Sequence, residues 1–133
     1  MILLDENVRQ DQAIRLRRQH IPARFLVEDF ARTGIQDLDI VPLLHRLKQP
    51  VFFTHDRDFF RRGLAHQNYC LVWLDLFDGR AAEFIRVFLK HELFDTAAKR
   101  MGIVARAHPE GIDFWQRNRA GLQRARWIRT TAE

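Results

Sequence analysis

Apolar residues in this chain fall into short blocks whose period changes along its length. Met1 to Leu4 is an apolar run that stops abruptly at Asp5, which predicts a buried strand with a polar carboxyl end. From about Arg9 to Gln19 the composition favours helix, with Ile14 and Leu16 giving a modest stripe, and Pro22 ends it. Ala23 to Val27 reads as a second strand, and Ala31 to Gly34 as a loop closing on a glycine. Ile40, Leu43, Leu44 and Leu47 follow the i, i+3, i+4, i+7 spacing, so a helix is expected to start near Asp37 and to close at Pro50. Val51 to Thr54 is β-branched and aromatic and predicts a strand, with Asp56 following and a short basic helix from Arg57 to Leu64. Cys70 to Leu76 is nearly continuous apolar sequence broken only by Asp75, as a central strand covered on both faces requires. Ala81, Phe84, Ile85, Phe88 and Leu89 form the clearest helical stripe.

Strands alternating with helices in this order imply right-handed crossovers and a mainly parallel sheet between helical layers, a Rossmann-like three-layer α/β/α sandwich. In such sheets a site forms beyond the carboxyl ends of the strands, where the winding reverses. If strands one and three are neighbours, Asp5 and Asp56 face one crevice and the start of the second helix brings Asp37 to its rim. After Met101 the helical period fades, and His108-Pro109-Glu110-Gly111 and Asn118-Arg119-Ala120-Gly121 punctuate apolar and basic stretches. A small β-meander is expected there, against a competing helix through Ile112, Trp115 and Leu122. The division is an α/β unit over 1–100 and a basic carboxyl-terminal extension over 101–133.

Composition narrows the picture. With 133 residues, 47% of them hydrophobic, the chain suits one globular unit with a sizeable core. Twenty-two Lys and Arg against seventeen Asp and Glu give +5, a balance expected of a protein that meets phosphate backbones, although solubility or a protein partner uses such charge equally well. From Met101 onward there are six arginines, no lysine and three acids, so the extension carries much of the excess. Cys70 is the sole cysteine, which excludes an intramolecular disulfide and a thiolate metal site and suits a reducing cytoplasm. No leader pattern and no long apolar run occur, so a soluble, unsecreted chain without membrane contact is expected.

The acids carry the candidate chemistry. Phosphodiester hydrolysis must neutralise a phosphate, generate hydroxide near neutral pH and stabilise the departing oxygen, and one or two magnesium ions can do all three. Mg²⁺ and Mn²⁺ prefer carboxylate and water oxygens, and clustered carboxylates without a cation would repel one another. Each acid also has a plain structural reading. Asp5 can satisfy loop amides, Asp37 stands at a helix N-cap, Asp56 and Asp58 can cap the next helix, and Asp39 can face solvent. The six histidines show no metal-ligand spacing, and His55 reads as a loop residue. There is no Gly-rich phosphate loop and no Gly-x-Ser-x-Gly elbow. The aromatic residues read as packing, with Trp115 or Trp127 able to stack on a base if exposed.

Leu3-Leu4-Asp5-Glu6-Asn7, Gly34-Ile35-Gln36-Asp37-Leu38-Asp39-Ile40 and Phe53-Thr54-His55-Asp56-Arg57-Asp58-Phe59 occur in that order. Over residues 1–95 the chain resembles the PIN-like nuclease superfamily, in particular small bacterial proteins with a Leu-Leu-Asp-Glu-Asn strand end and a Thr-x-Asp-x-Asp-Phe motif. The resemblance implies a Mg²⁺- or Mn²⁺-dependent ribonuclease, of a kind often serving as the toxin beside an antitoxin protein. It also implies that Asp5, Asp37 and Asp56 hold the metal while Asp58 ligates or orients. Gln36 stands where the family often has Ser, His55 fills a variable position, and Asp75 replaces a basic or neutral residue. Arg57, Arg61 and Arg62, extended by Arg124, Arg126 and Arg129, are the candidate contacts to an RNA backbone, although a solvated basic face serves equally. Two other readings stay open: a catalytically silent module that binds nucleic acid or protein, and a phosphoacceptor domain with Asp56 as acceptor. The second lacks an evident lysine near a fifth strand. Homodimerisation is left open.

Overall fold

The computed structural model describes residues 1–30 and 37–127, with the backbone alone at 29–30 and 37–38. Its centre is a seven-stranded sheet in the order β2-β1-β3-β4-β5-β6-β7. The strands are β1 (Ile2–Leu4), β2 (Ala23–Phe25), β3 (Val51–Thr54), β4 (Cys70–Leu74), β5 (Ile103–His108), β6 (Gly111–Gln116) and β7 (Arg119–Ala125). β2, β1, β3, β4 and β5 run parallel, β6 pairs antiparallel with β5, and β7 pairs antiparallel with β6. Five helices accompany them among the described residues: α1 (Gln10–Arg18), α2 (Leu26–Phe30), α3 (Asp37–Leu44), α4 (Ala81–Lys90) and α5 (Ala97–Arg100). The architecture is an α/β sandwich.

Successive strand residues point to opposite faces, so each apolar strand feeds two cores. On one face Leu4, Phe53, Val72, Ala105 and Phe114 meet Ala13 and Leu16 of α1 and Ile85 and Phe88 of α4. On the other, Leu3, Phe52, Leu71 and Val104 meet Leu26, Ile40 and Leu44 from α2 and α3, together with Phe59. α4 is amphipathic and packs beside α1. The side chain of Gln12, buried on α1, accepts the Ala82 amide at 2.9 Å and so satisfies one of the unpaired N–H groups of the first turn of α4.

Several expected elements differ at their edges. The second strand is shorter than Ala23 to Val27, because α2 begins at Leu26. α3 ends at Leu44 instead of continuing to Pro50, and Pro42 inside it withholds a ladder N–H. The basic helix expected over 57–64 is two separate 3₁₀ turns, Arg57–Phe59 and Arg62–Leu64. Phe59 turns into the core beside Phe52, whereas Phe60 turns toward Trp73 and Trp115, and a continuous helix would not send both rings to those places.

The segment expected to be a meander is one, and its first strand pairs parallel with β4, so residues 103–125 extend the main sheet. The competing helix fails because Ile112 and Trp115, three residues apart on β6, serve opposite cores. The β5–β6 hairpin closes at Gly111, where φ is +153° and a Cβ would stand 2.5 Å from the Ala125 carbonyl oxygen. Among the described residues no helix is long and apolar enough to cross a membrane.

Candidate functional site

β1 and β3 are adjacent and in register, with Leu4 opposite Phe53. Asp5 prolongs this pairing by one bond, its N–H donating to the Phe53 carbonyl at 2.9 Å, before its own carbonyl accepts the Val8 amide and the chain turns away. The carboxylate is thereby held at the carboxyl edge of the sheet and is buried. Its Oδ1 accepts the Glu6 amide at 2.8 Å, and its Oδ2 accepts the Thr54 hydroxyl at 2.6 Å.

Thr54 is the hub of this edge. Its fully buried Oγ1 donates to Asp5 and accepts from Asn7 Nδ2 at 3.2 Å and from the Asp56 amide at 2.9 Å. Asn7 closes a second link by accepting the His55 amide on Oδ1 at 3.1 Å. The loop after β1 and the loop after β3 are therefore clasped together, and Asp5 and Asp56 are joined through one hydroxyl. The Asp56 carboxylate accepts the Asp58 amide at 2.9 Å and caps the first 3₁₀ turn.

Burial pushes the Asp5 carboxyl above its ordinary value. The bonds from Thr54 and from the Glu6 amide pull it back in part, while the negative charges of Glu6 and Asp56 add to the rise. A cation at this edge would relieve that repulsion. The carboxylates fit a hard divalent ion, since each oxygen of Asp5 accepts one bond and keeps a second lone-pair direction, whereas the Thr54 hydroxyl, its proton given and both lone pairs taken, holds Asp5 in place instead of ligating.

The other expected site residues are distributed as follows. Asp37 is the first residue of α3, and its side chain lies outside the described residues, as does Arg129. Asp58 is exposed two residues after Asp56, within the 3₁₀ turn that Asp56 caps. Arg57, Arg61 and Arg62 are exposed; Arg57 follows Asp56 with its guanidinium 6.0 Å from the centre of the Trp73 ring, and Arg62 lies farther across the sheet, 5.9 Å from the centre of the Trp115 ring on β6. Arg124 and Arg126 are exposed at the end of the meander. Among the described residues no three His, Cys, Asp or Glu side chains form a metal-ligand group. Asp5 and Asp56 are brought near one another by Thr54, whose Oγ1 bonds the Asp5 carboxylate and the Asp56 backbone amide. His55 behaves as a tether: its Nδ1 must carry a proton to bond the Leu74 carbonyl at 3.0 Å, and its Nε2 is enclosed. β5 contains no lysine.

Two features escaped the reading of acids alone. Thr54 and Asn7 stand inside the first and third motifs, and a buried threonine at a strand end followed by Asp was the available signal. The second is an ion network in which Arg106 donates from Nε to Asp75 and from Nη1 to Asp113, at 2.8 and 2.9 Å. Asp75, which departs from the pattern of the resembled family, is thus an ion-pair partner. Nothing local in the sequence announces that 31 and seven residues of separation close onto one guanidinium.

No protein family, no curated protein and no solved structure matches this chain significantly.

Proposed function

We propose that this chain is a PIN-like ribonuclease that hydrolyses RNA phosphodiesters with Mg²⁺ or Mn²⁺. The observation that carries the reading is the Asp5–Thr54–Asp56 linkage across neighbouring strands at the carboxyl edge of the sheet, with a buried carboxylate whose proton affinity is raised. The order of the three acidic motifs supports the same reading, and so does the excess of basic residues.

Asp5 and Asp56 would hold the ion, with Asp37 and Asp58 completing its oxygen donors. When bound, such an ion supplies charge neutralisation at phosphate and a lowered pKa for water. The chain's own groups do the rest. Thr54 and the Glu6 amide fix both Asp5 oxygens, so that the carboxylate needs no reorientation on binding. Asn7 holds the two loops at a set separation. Arg57, next to Asp56, is placed to draw the phosphate backbone toward the acids.

The test is cleavage of a mixed single-stranded RNA pool by the wild type, Asp5→Asn and Asp56→Asn, with Mg²⁺, Mn²⁺ or EDTA. Metal-dependent cleavage lost in both variants is expected. Cleavage that persists in EDTA, or in both variants, rejects the mechanism. A second reading, a silent RNA-binding module, draws on the exposed arginines Arg57, Arg61 and Arg62. Absence of cleavage together with salt-sensitive binding would select it.

A further inference from the structure

The register of the sheet places Thr54 opposite Trp73, Trp73 opposite Arg106, Arg106 opposite Asp113 and Asp113 opposite Arg124. Cross-strand partners share a face, so these five residues form one row that begins at the acid edge and runs over β3 to β7. Phe60 lies beside this row. Its ring centre is 5.8 Å from that of Trp73 and 6.5 Å from that of Trp115, with interplanar angles of 39° and 32°.

We infer that this half of the sheet face is a binding platform for single-stranded RNA, with bases stacking on Trp73, Phe60 and Trp115 and phosphates held by Arg57, Arg62 and Arg124. The three rings are half-buried, Trp73 lying under Arg57 and Arg106 and Trp115 under Arg62, and Arg57, Arg62 and Arg124 are exposed. Arg106 is committed elsewhere: Asp75 and Asp113 clamp its guanidinium 5.5 Å from the centre of the Trp73 ring, so it positions that ring rather than meeting phosphate. Arg124, whose Nε lies 3.5 Å from an Asp113 oxygen, is 81% exposed at its side chain, so its guanidinium keeps further N–H groups for a phosphate. The platform is also continuous with a cleft of about 460 Å³ in which Arg57, Trp73, His55 and Asn7 share walls. That is within the size of pockets that take small molecules, about 300–1,000 Å³, and large enough for one nucleotide. Single strands fit this chemistry better than duplexes, because only unpaired bases offer their faces to aromatic side chains.

The inference rests on the ribonuclease reading for the choice of RNA, but its test reads binding without metal. A fluorescein-labelled single-stranded RNA of about 12 nucleotides is titrated with the full chain in EDTA and followed by anisotropy. Trp73→Leu and Trp115→Leu are each expected to weaken binding about tenfold, while Trp73→Phe and Trp115→Phe retain most of it. Arg57→Ala with Arg62→Ala, at exposed positions that leave the fold intact, is expected to flatten the salt dependence by up to about two phosphate contacts. Duplex RNA of the same sequence is expected to bind at least about tenfold more weakly. Unchanged affinity in the arginine double variant, or equal affinity for the duplex, overturns the platform. Loss of cleavage in Asp5→Asn with binding retained leaves the platform standing, so the two readings fail separately.

Discussion

Thr54 has one proton to give and three polar neighbours. Because Asn7 and the Asp56 amide both direct N–H groups at its oxygen, that proton is committed to Asp5. Thr54→Val keeps the shape and removes the hub. It strands buried polar partners, and a loss of about 1–3 kcal/mol is expected in urea unfolding. It also removes the strongest of the bonds that restrain the proton affinity of Asp5, so a carboxyl titration by NMR should show Asp5 moving further upward, with Thr54→Ser close to wild type.

The pH dependence at Asp5 follows with a definite sign. A raised carboxyl means that the folded chain holds this proton more tightly than the unfolded chain. Its contribution to stability is therefore fully present below the ordinary value of 3.8 and is lost as pH rises through the folded value. At neutral pH the site carries an electrostatic penalty that a divalent ion can relieve. Mg²⁺ at about tenfold over its Kd should then add about 1.4 kcal/mol of stability at pH 7 and raise Tm, with no such shift in Asp5→Asn. A Tm indifferent to Mg²⁺ and Mn²⁺ in the wild type counts against metal binding at this edge.

At the scale of elements, legibility followed the strength of the local pattern. β3 and α4 stand where their stripes indicated, because Val51, Phe52 and Phe53 are all enclosed and one face of α4 is wholly apolar. The boundary after Phe25 was not legible, since Leu26 and Val27 suit a strand as well as the helix they start. The split of the basic helix depended on where Phe59 and Phe60 find partners, which is tertiary information. The places of Asp5 and Asp56 after β1 and β3 were readable, whereas the adjacency of those strands came from the sheet itself. The clasp by Asn7 was not readable, because it needs the separation of two loops. Gln12 is similar: a glutamine on the buried side of α1 looks misplaced until its bond to the Ala82 amide is seen. Gln12→Ala should cost about 1 kcal/mol in urea unfolding, and Gln12→Glu should recover much of it by restoring an acceptor at the positive end of α4.

For the whole molecule, the sheet sets both the acid edge and the aromatic surface. The winding goes from β1 outward to β2 and then back past β1 to β3, so the loops after β1 and β3 diverge around the point where Asp5 and Thr54 meet. Extension of the same sheet through β5, β6 and β7 turns a basic carboxyl-terminal stretch into a continuous surface instead of a separate appendage.

The alternation of the strands makes that arrangement an odd-or-even matter. Phe53 and Thr54 are consecutive, one serving the α1–α4 core and the other the acid edge. A single alanine inserted between them would leave Val51, Phe52 and Phe53 in their places yet send the hydroxyl to the wrong side of the pleat. The Mg²⁺-induced rise in Tm is expected to vanish in that variant even where far-UV circular dichroism remains that of an α/β fold. The chemistry proposed for this chain is in that sense counted out residue by residue from its first strand pair.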